Sequence, residues 1–198
     1  MIQSPEHLTL EQFLDCRFDL PEAGQWAELQ AGQIVLLQPP DLDHGNTLLN
    51  FSKAMADWAH QAGARESAAY ACFDLGLRIE REPDTVRFPA VSIFHEGPRF
   101  AESDRAATDS RPAIVLELLT SAERRAQFAA RATQYLSSGV RAVWGVDPRA
   151  RSGHDIRTAQ SAETDSRLEF LEFPEVLPGF RLDVASLFHE PEWWSRAR

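Results

Sequence analysis

The chain has 198 residues, 43% hydrophobic and 25% charged, which suffices for one well-buried domain and is short for two. Its net charge of −10 works against a broad phosphate-gripping surface, because phosphate neutralisation supplies most of the affinity for nucleic acid. Two cysteines, Cys16 and Cys72, exclude a disulfide framework and a Cys-rich zinc site, and no apolar run approaches the roughly 18 residues of a membrane-spanning helix.

The start, Met1 to Phe13, has no basic segment followed by an apolar core, so no secretory signal is expected and a cytoplasmic location follows. Thr9 and Gln12 read as a capping box opening a short helix, Leu10 to Cys16. Strands are expected over 25–30 and 33–38, joined as a hairpin at Ala31-Gly32. Pro39-Pro40 ends the second strand, and Asp43 is placed to cap a helix over about 44–62, with Gly63 as its stop. Its expected inner face carries Leu48, Ser52, Met55 and Ala59, with Leu49 and Ala56 beside it.

Two more strands are expected, 71–79 and 85–94, with Glu82-Pro83-Asp84 as the turn between them. A loop over 96–111 leads to an apolar strand, 113–119. Thr120 to Glu123 reads as a second capping box, and its helix runs to Gly139. Strand 141–147 ends at Pro148; 149–166 reads as polar and irregular; 167–173 is a last strand, and Leu182 to Phe188 a helical turn capped near Asp183. The order predicts one mixed α/β domain, with its core over about 8–188, around a central sheet flanked by helices.

The most informative residue is Glu117, a carboxylate inside the apolar run Ile114 to Leu119. A buried charge costs several kcal/mol unless it is paired, hydrogen-bonded or metal-bound. Arg131 follows on the next helix, where Phe128, Arg131 and Tyr135 share a face, so this arginine is expected to point inward. Arg124, Arg125, Arg131, Arg141, Arg149 and Arg151 cluster in sequence and offer either a local basic face or an ordinary solvated surface. His7, His60, His95, His154 and His189 show no metal-ligand spacing. Trp26 and Trp144 fit core positions, whereas Trp193-Trp194 invites packing on the domain or on a second subunit, which makes a homodimer one expectation.

Seven segments in order resemble the restriction-endonuclease-like family of the PD-(D/E)XK nuclease superfamily, from Leu8 to Phe188. They are Leu8 to Leu14; Trp26 to Val35, like the family's E-L-x-x-G-x-[IV] hairpin; His44 before the second helix; Phe88-Pro89-Ala90-Val91 at the P-D strand; Ile114 to Ser121, like V-E-V-x-S; Tyr135 to Asp147, like Y-x-x-x-G-V-x-x-Y-W-x-V-D; and Pro178 to Asp183, like L-P-G-x-x-L-D. The resemblance implies a restriction-endonuclease-like α+β fold and Mg²⁺-assisted phosphodiester hydrolysis. In that chemistry an aspartate and a glutamate hold the metal, a lysine stabilises charge, and a hairpin glutamate closes the site.

Carried over residue by residue, the implied catalytic set is Glu117, Arg131, Glu28 and His44, and the implied metal ligands are Glu117, Glu28 and Asp74. Two positions depart from the pattern. Ala90 stands where the metal-binding aspartate belongs, and Arg131 stands where the lysine belongs. Arginine keeps the charge but is not interchangeable with lysine at a tight site. Asp74, Glu80, Glu82, Asp84 and Glu96 are the nearby acids that could substitute for the lost aspartate, and Asp74, on the preceding strand, could reach the same end of the sheet; otherwise it is an ordinary strand-edge acid. His44 either contacts a phosphate, hydrogen-bonds Glu28, or simply stands at a helix start.

Three functions follow. The preferred one is a nuclease-fold binding module in which Glu117 and Arg131 form a buried salt bridge without metal, with DNA as a partner through a local basic cleft. The second is an active Mg²⁺-dependent DNA endonuclease with a rearranged site. The third keeps the fold for protein interaction alone.

Overall fold

The computed structural model describes residues 7–20, 26–61, 68–158 and 167–191. Helix α1 spans Leu10–Arg17, and Thr9 forms the expected reciprocal capping box with Gln12. Strands β1 (Ala27–Gln30) and β2 (Gln33–Leu36) pair antiparallel, and the turn between them places Ala31 and Gly32 at φ 47° and 75°. Positive φ at both positions suits the two-residue turns that match strand twist.

Helix α2 spans Leu42–Ala59 and starts two residues earlier than the sequence suggested. Asp41, not Asp43, is the cap, and its side chain accepts from the His44 N–H. The buried face also differs: Asn46, Thr47, Phe51, Met55 and Trp58 turn inward, while Leu49 is exposed. Phe51 and Trp58 bring more apolar area to the core than Ser52 and Ala59 could, and burial scales with that area. The expected stop at Gly63 lies outside the described residues, as do Gln25 and Trp193-Trp194.

Each long strand expected between 71 and 94 is broken in the middle. The first becomes β3 (Tyr70–Phe73) and β4 (Gly76–Glu80), separated at Asp74, whose φ is 49°. The second becomes β5 (Thr85–Arg87) and β6 (Val91–Phe94), separated at Phe88-Pro89-Ala90. Proline has no N–H to give a strand ladder, so the second break has a local cause. The loop at 96–111 contains a short strand, β7 (Ala107–Thr108). Then come β8 (Ile114–Leu118), α3 (Ala122–Ser137), β9 (Ala142–Asp147) and β10 (Ser152–Ile156). Ser121, rather than Thr120, caps α3 by accepting from the Arg124 N–H. Strand β10 occupies part of the stretch expected to be irregular, and the last expected strand contracts to β11 (Phe170–Leu171), with a bridge at Leu168. Strand β12 (Leu182–Asp183) pairs with β11, and Asp183 caps the 3-10 turn Val184–Phe188.

Ten of the twelve described strands form two five-stranded sheets, and β11 and β12 pair apart from them, where the sequence suggested one sheet. One has the order β2-β1-β5-β4-β7; the central mixed sheet has the order β10-β9-β8-β6-β3. In the central sheet β8 and β9 run parallel, as a β-helix-β crossover through α3 requires. Strand alternation sends Ile114, Leu116 and Leu118 into the core under α2 and the C-terminal segment. Val115 and Leu119 enter the core under α3, with Phe128, Ala132 and Tyr135. Glu117 therefore points at α3. A third cluster joins α1 to the first sheet through Leu10, Phe13, Leu29, Val86 and Phe88. Among the described residues, no helix is long and apolar enough to cross a membrane.

Candidate functional site

Glu117 lies opposite Gly145 in the β8–β9 register. A Cβ at Gly145 would collide with the Phe128 ring, so the missing side chain leaves room for α3 to settle close to the sheet. That closeness brings Arg131 and Tyr135 onto the carboxylate. Glu117 Oε1 accepts from Arg131 Nη2 at 2.6 Å, from Arg131 Nε at 3.1 Å and from the Tyr135 hydroxyl at 2.7 Å. Burial and the Glu117 charge beside it push the Tyr135 phenol well above its ordinary range, so it stays protonated and donates.

Glu28 arrives from the other sheet, fully buried on β1. Arg131 grips it with a two-pronged fork, Nη1 to Oε2 at 2.7 Å and Nη2 to Oε1 at 2.9 Å. Arg87 at the end of β5 gives Nη1 to Oε2 at 2.9 Å, and the Phe88 N–H gives to Oε1 at 3.0 Å. That N–H is available because the chain leaves the ladder at Pro89. Burial alone would raise the Glu28 carboxyl; the Arg131 charge and hydrogen bonds, then Arg87 and Phe88, outweigh it and hold it at about 2. Burial likewise pulls on Arg131, but Glu117, Tyr135 and Glu28 keep it well above its ordinary value. The structure thus brings Glu28, Glu117 and Arg131 into one buried network, with the guanidinium between the two carboxylates.

A divalent cation does not fit this arrangement. A carboxylate offers about four lone-pair positions, and Glu28 already accepts four hydrogen bonds. Arg131 occupies the space between the acids that a metal would need. Ala90 offers no ligand and packs, half-buried, against the core that holds Val91 and Ile93. Among the described residues, no three His, Cys, Asp or Glu side chains gather as ligands.

Asp74 and His44 stand apart from the network, on a cleft of about 320 Å³ that Ala90 also lines. Asp74 is 58% exposed and lies 4.0 Å from Arg17. Burial pushes its carboxyl up, against the pull of Arg17 and Arg124. His44 is not among the groups that hydrogen-bond Glu28; burial, then the Arg124 charge, holds its ring below the ordinary value.

The arginines clustered in sequence do not share one face. Arg125 pairs with Asp147 at 2.6 Å, Arg141 lies over Phe173 and Arg151 over Phe188, while Arg124 turns to the cleft. Sequence reasoning missed two contributors, Arg87 and Arg17. Arg87 had a signal: a charged residue in a strand adjoining a proline break. Arg17, buried with its guanidinium 3.6 Å over the Phe88 ring, had none. Trp144 is buried as expected, whereas Trp26 is half-buried and lines the cleft.

Two comparisons bear on this geometry. The sequence model of the Uma2 family, described as "Putative restriction endonuclease", matches residues 10–185. The fold is similar to a crystal structure described as a putative nuclease belonging to DUF820 from Anabaena variabilis ATCC 29413. That similarity has 18% identity and a TM-score of 0.68, over 91% of this chain and 97% of the other. No curated protein matches.

Proposed function

The chain belongs to the Uma2 family of putative restriction endonucleases, and from that premise we propose that this member is a nuclease-fold binding module that does not hydrolyse phosphodiesters. The observation that carries this reading is the Arg131 guanidinium between Glu28 and Glu117, at 2.6 to 3.1 Å from both acids. Metal-assisted hydrolysis needs a cation that lowers the pKa of a bound water and offsets phosphoryl charge. Here a fixed organic cation neutralises the acids instead. It cannot activate water, and it does not deprotonate near neutral pH. What remains for ligands is the adjoining cleft, with Arg17, Arg124 and His44 on its wall.

The test is nicking of supercoiled plasmid across a Mg²⁺ and Mn²⁺ titration. The expected result is no metal-dependent nicking by the natural chain, and its appearance when Ala90→Asp and Arg131→Lys are combined. Metal-dependent nicking by the natural chain that disappears in Glu117→Ala would overturn the reading. It would favour the rearranged endonuclease with Glu28, Glu117 and Asp74 holding Mg²⁺.

A further inference from the structure

The cleft beside the buried network contains two polar groups, on Arg124 and His44, with hydrogen-bonding capacity left unused among the described residues. Arg124, at the start of α3, has a side chain only 15% exposed. Its ion pair with Glu117 Oε2 is 3.7 Å long, beyond hydrogen-bond distance. Among the described residues its guanidinium makes no hydrogen bond, although a guanidinium has five donors. His44, from the first turn of α2, also lines the cleft, and its Nδ1 is buried without a hydrogen-bond partner. Of the acids on the wall, Asp41 caps α2, and Asp74, 58% exposed, has the Arg17 charge 4.0 Å away. The wall also has an apolar part that includes Trp26, Leu48 and Phe73, which is 42% exposed.

A cationic fork and an imidazole from two different helices match an oxyanion with several acceptors, such as a phosphate. An exposed aromatic face beside them suits a planar ring. The volume lies near the lower end of small-molecule pockets, about 300–1,000 Å³, which is room for one ring and one acidic group but not for a length of strand. Charge points the same way. A polyanionic strand would run over a surface with net charge −10. A small anion meets only the local field, since exposed charges more than about 8 Å away are largely screened at physiological ionic strength.

We propose that this cleft is a small-molecule site for a phosphate monoester bearing a planar ring, of the nucleoside monophosphate kind, with the phosphate on Arg124 and His44 and the ring against Phe73. The proposal deepens the binding-module reading and rests on it, because the site is meant to hold its ligand without metal. The same chemistry could be offered by the 5′-phosphorylated end of a strand; the size and charge of the cleft favour the free monoester.

Isothermal titration in EDTA tests this, with adenosine 5′-monophosphate as probe. The comparison ligands are adenosine, inorganic phosphate and a 5′-phosphorylated single-stranded oligonucleotide. The expected result is one saturable site for the monophosphate, at least tenfold weaker binding of adenosine and of phosphate, and no gain for the oligonucleotide. Arg124→Gln should weaken the monophosphate at least tenfold. Phe73→Ala, at an exposed position that folding tolerates, should weaken it severalfold. Absence of saturable binding, indifference to both substitutions, or an oligonucleotide bound tenfold more tightly than the monophosphate would each overturn the proposal. If there is neither monophosphate binding nor nicking, the pocket falls and the binding-module reading stands. Metal-dependent nicking sinks that reading, whereas monophosphate binding in EDTA would still uphold the pocket.

Discussion

Two groups of charged side chains lie side by side in this molecule and obey different physics. In the network of Glu28, Arg87, Glu117, Arg131 and Tyr135, every charged group is buried, and each carboxylate accepts three or more hydrogen bonds. In the cleft, Asp74 is 58% exposed and 4.0 Å from Arg17, Arg124 lies 3.7 Å from Glu117, and His44 Nδ1 has no hydrogen-bond partner among the described residues. Burial makes the first group expensive to disturb. Incomplete pairing makes the second cheap to alter. Residues implied together by family resemblance thus divide between a saturated buried network and a partly solvated cleft.

The sharpest way to break this contrast is Arg131→Ala. It leaves Glu28 with only Arg87 and Phe88, and Glu117 with Tyr135 and a distant Arg124. Breaking a buried pair by removing one partner costs about 3–5 kcal/mol, and urea unfolding should show a loss of that size. A loss below about 1 kcal/mol would mean that the two acids find water or a proton without penalty, and the structural role of the network would fall.

A second expectation comes from Glu28, held at about 2 against an ordinary 4.5. A carboxyl held below its unfolded value binds protons more weakly in the folded chain, so acid favours unfolding. Its contribution, about 3 kcal/mol by proton linkage, is whole above about pH 4.5 and is lost as pH falls toward 2. Stability measured over that window should fall with acid in the natural chain and less steeply in Glu28→Gln. Equal slopes in the two proteins would contradict the assignment.

The smallest effect is expected in the cleft. Asp74→Ala removes a largely exposed ion pair 4.0 Å from Arg17, and such pairs contribute roughly 0–1 kcal/mol. Its unfolding midpoint should nearly coincide with that of the natural chain. A loss comparable with that of Arg131→Ala would erase the distinction between the two regions.

Part of the buried network, though not its separation from the cleft, could be read in the chain before folding. Thr9 and Gln12 announced α1, and the apolar run around Glu117 announced a buried acid in need of a partner. The spacing of Phe128, Arg131 and Tyr135 predicted an inward arginine on the following helix. Cap positions at Asp41 and Ser121 were misjudged by one or two residues, because several Asp, Ser and Thr side chains there can each accept a helix N–H. The Uma2 match and the shared fold agree with the family resemblance; the ligand roles of Glu28, Glu117 and Asp74 are outside what those likenesses establish.

The sequence by itself determined the elements and the existence of an inward acid and base, since these follow from periodicity, capping and the cost of burying charge along a few turns of chain. Only the tertiary structure decided which charges meet. The breaks at Asp74 and Pro89 send β3 and β6 to one sheet and β4 and β5 to the other. The sheets then carry Glu28 and Arg87 to Arg131, residues separated by up to 103 positions. Local propensity carries no information about such distant neighbours, so the fourfold saturation of Glu28 and the spare donors of the cleft emerge only once the two sheets and α3 have packed.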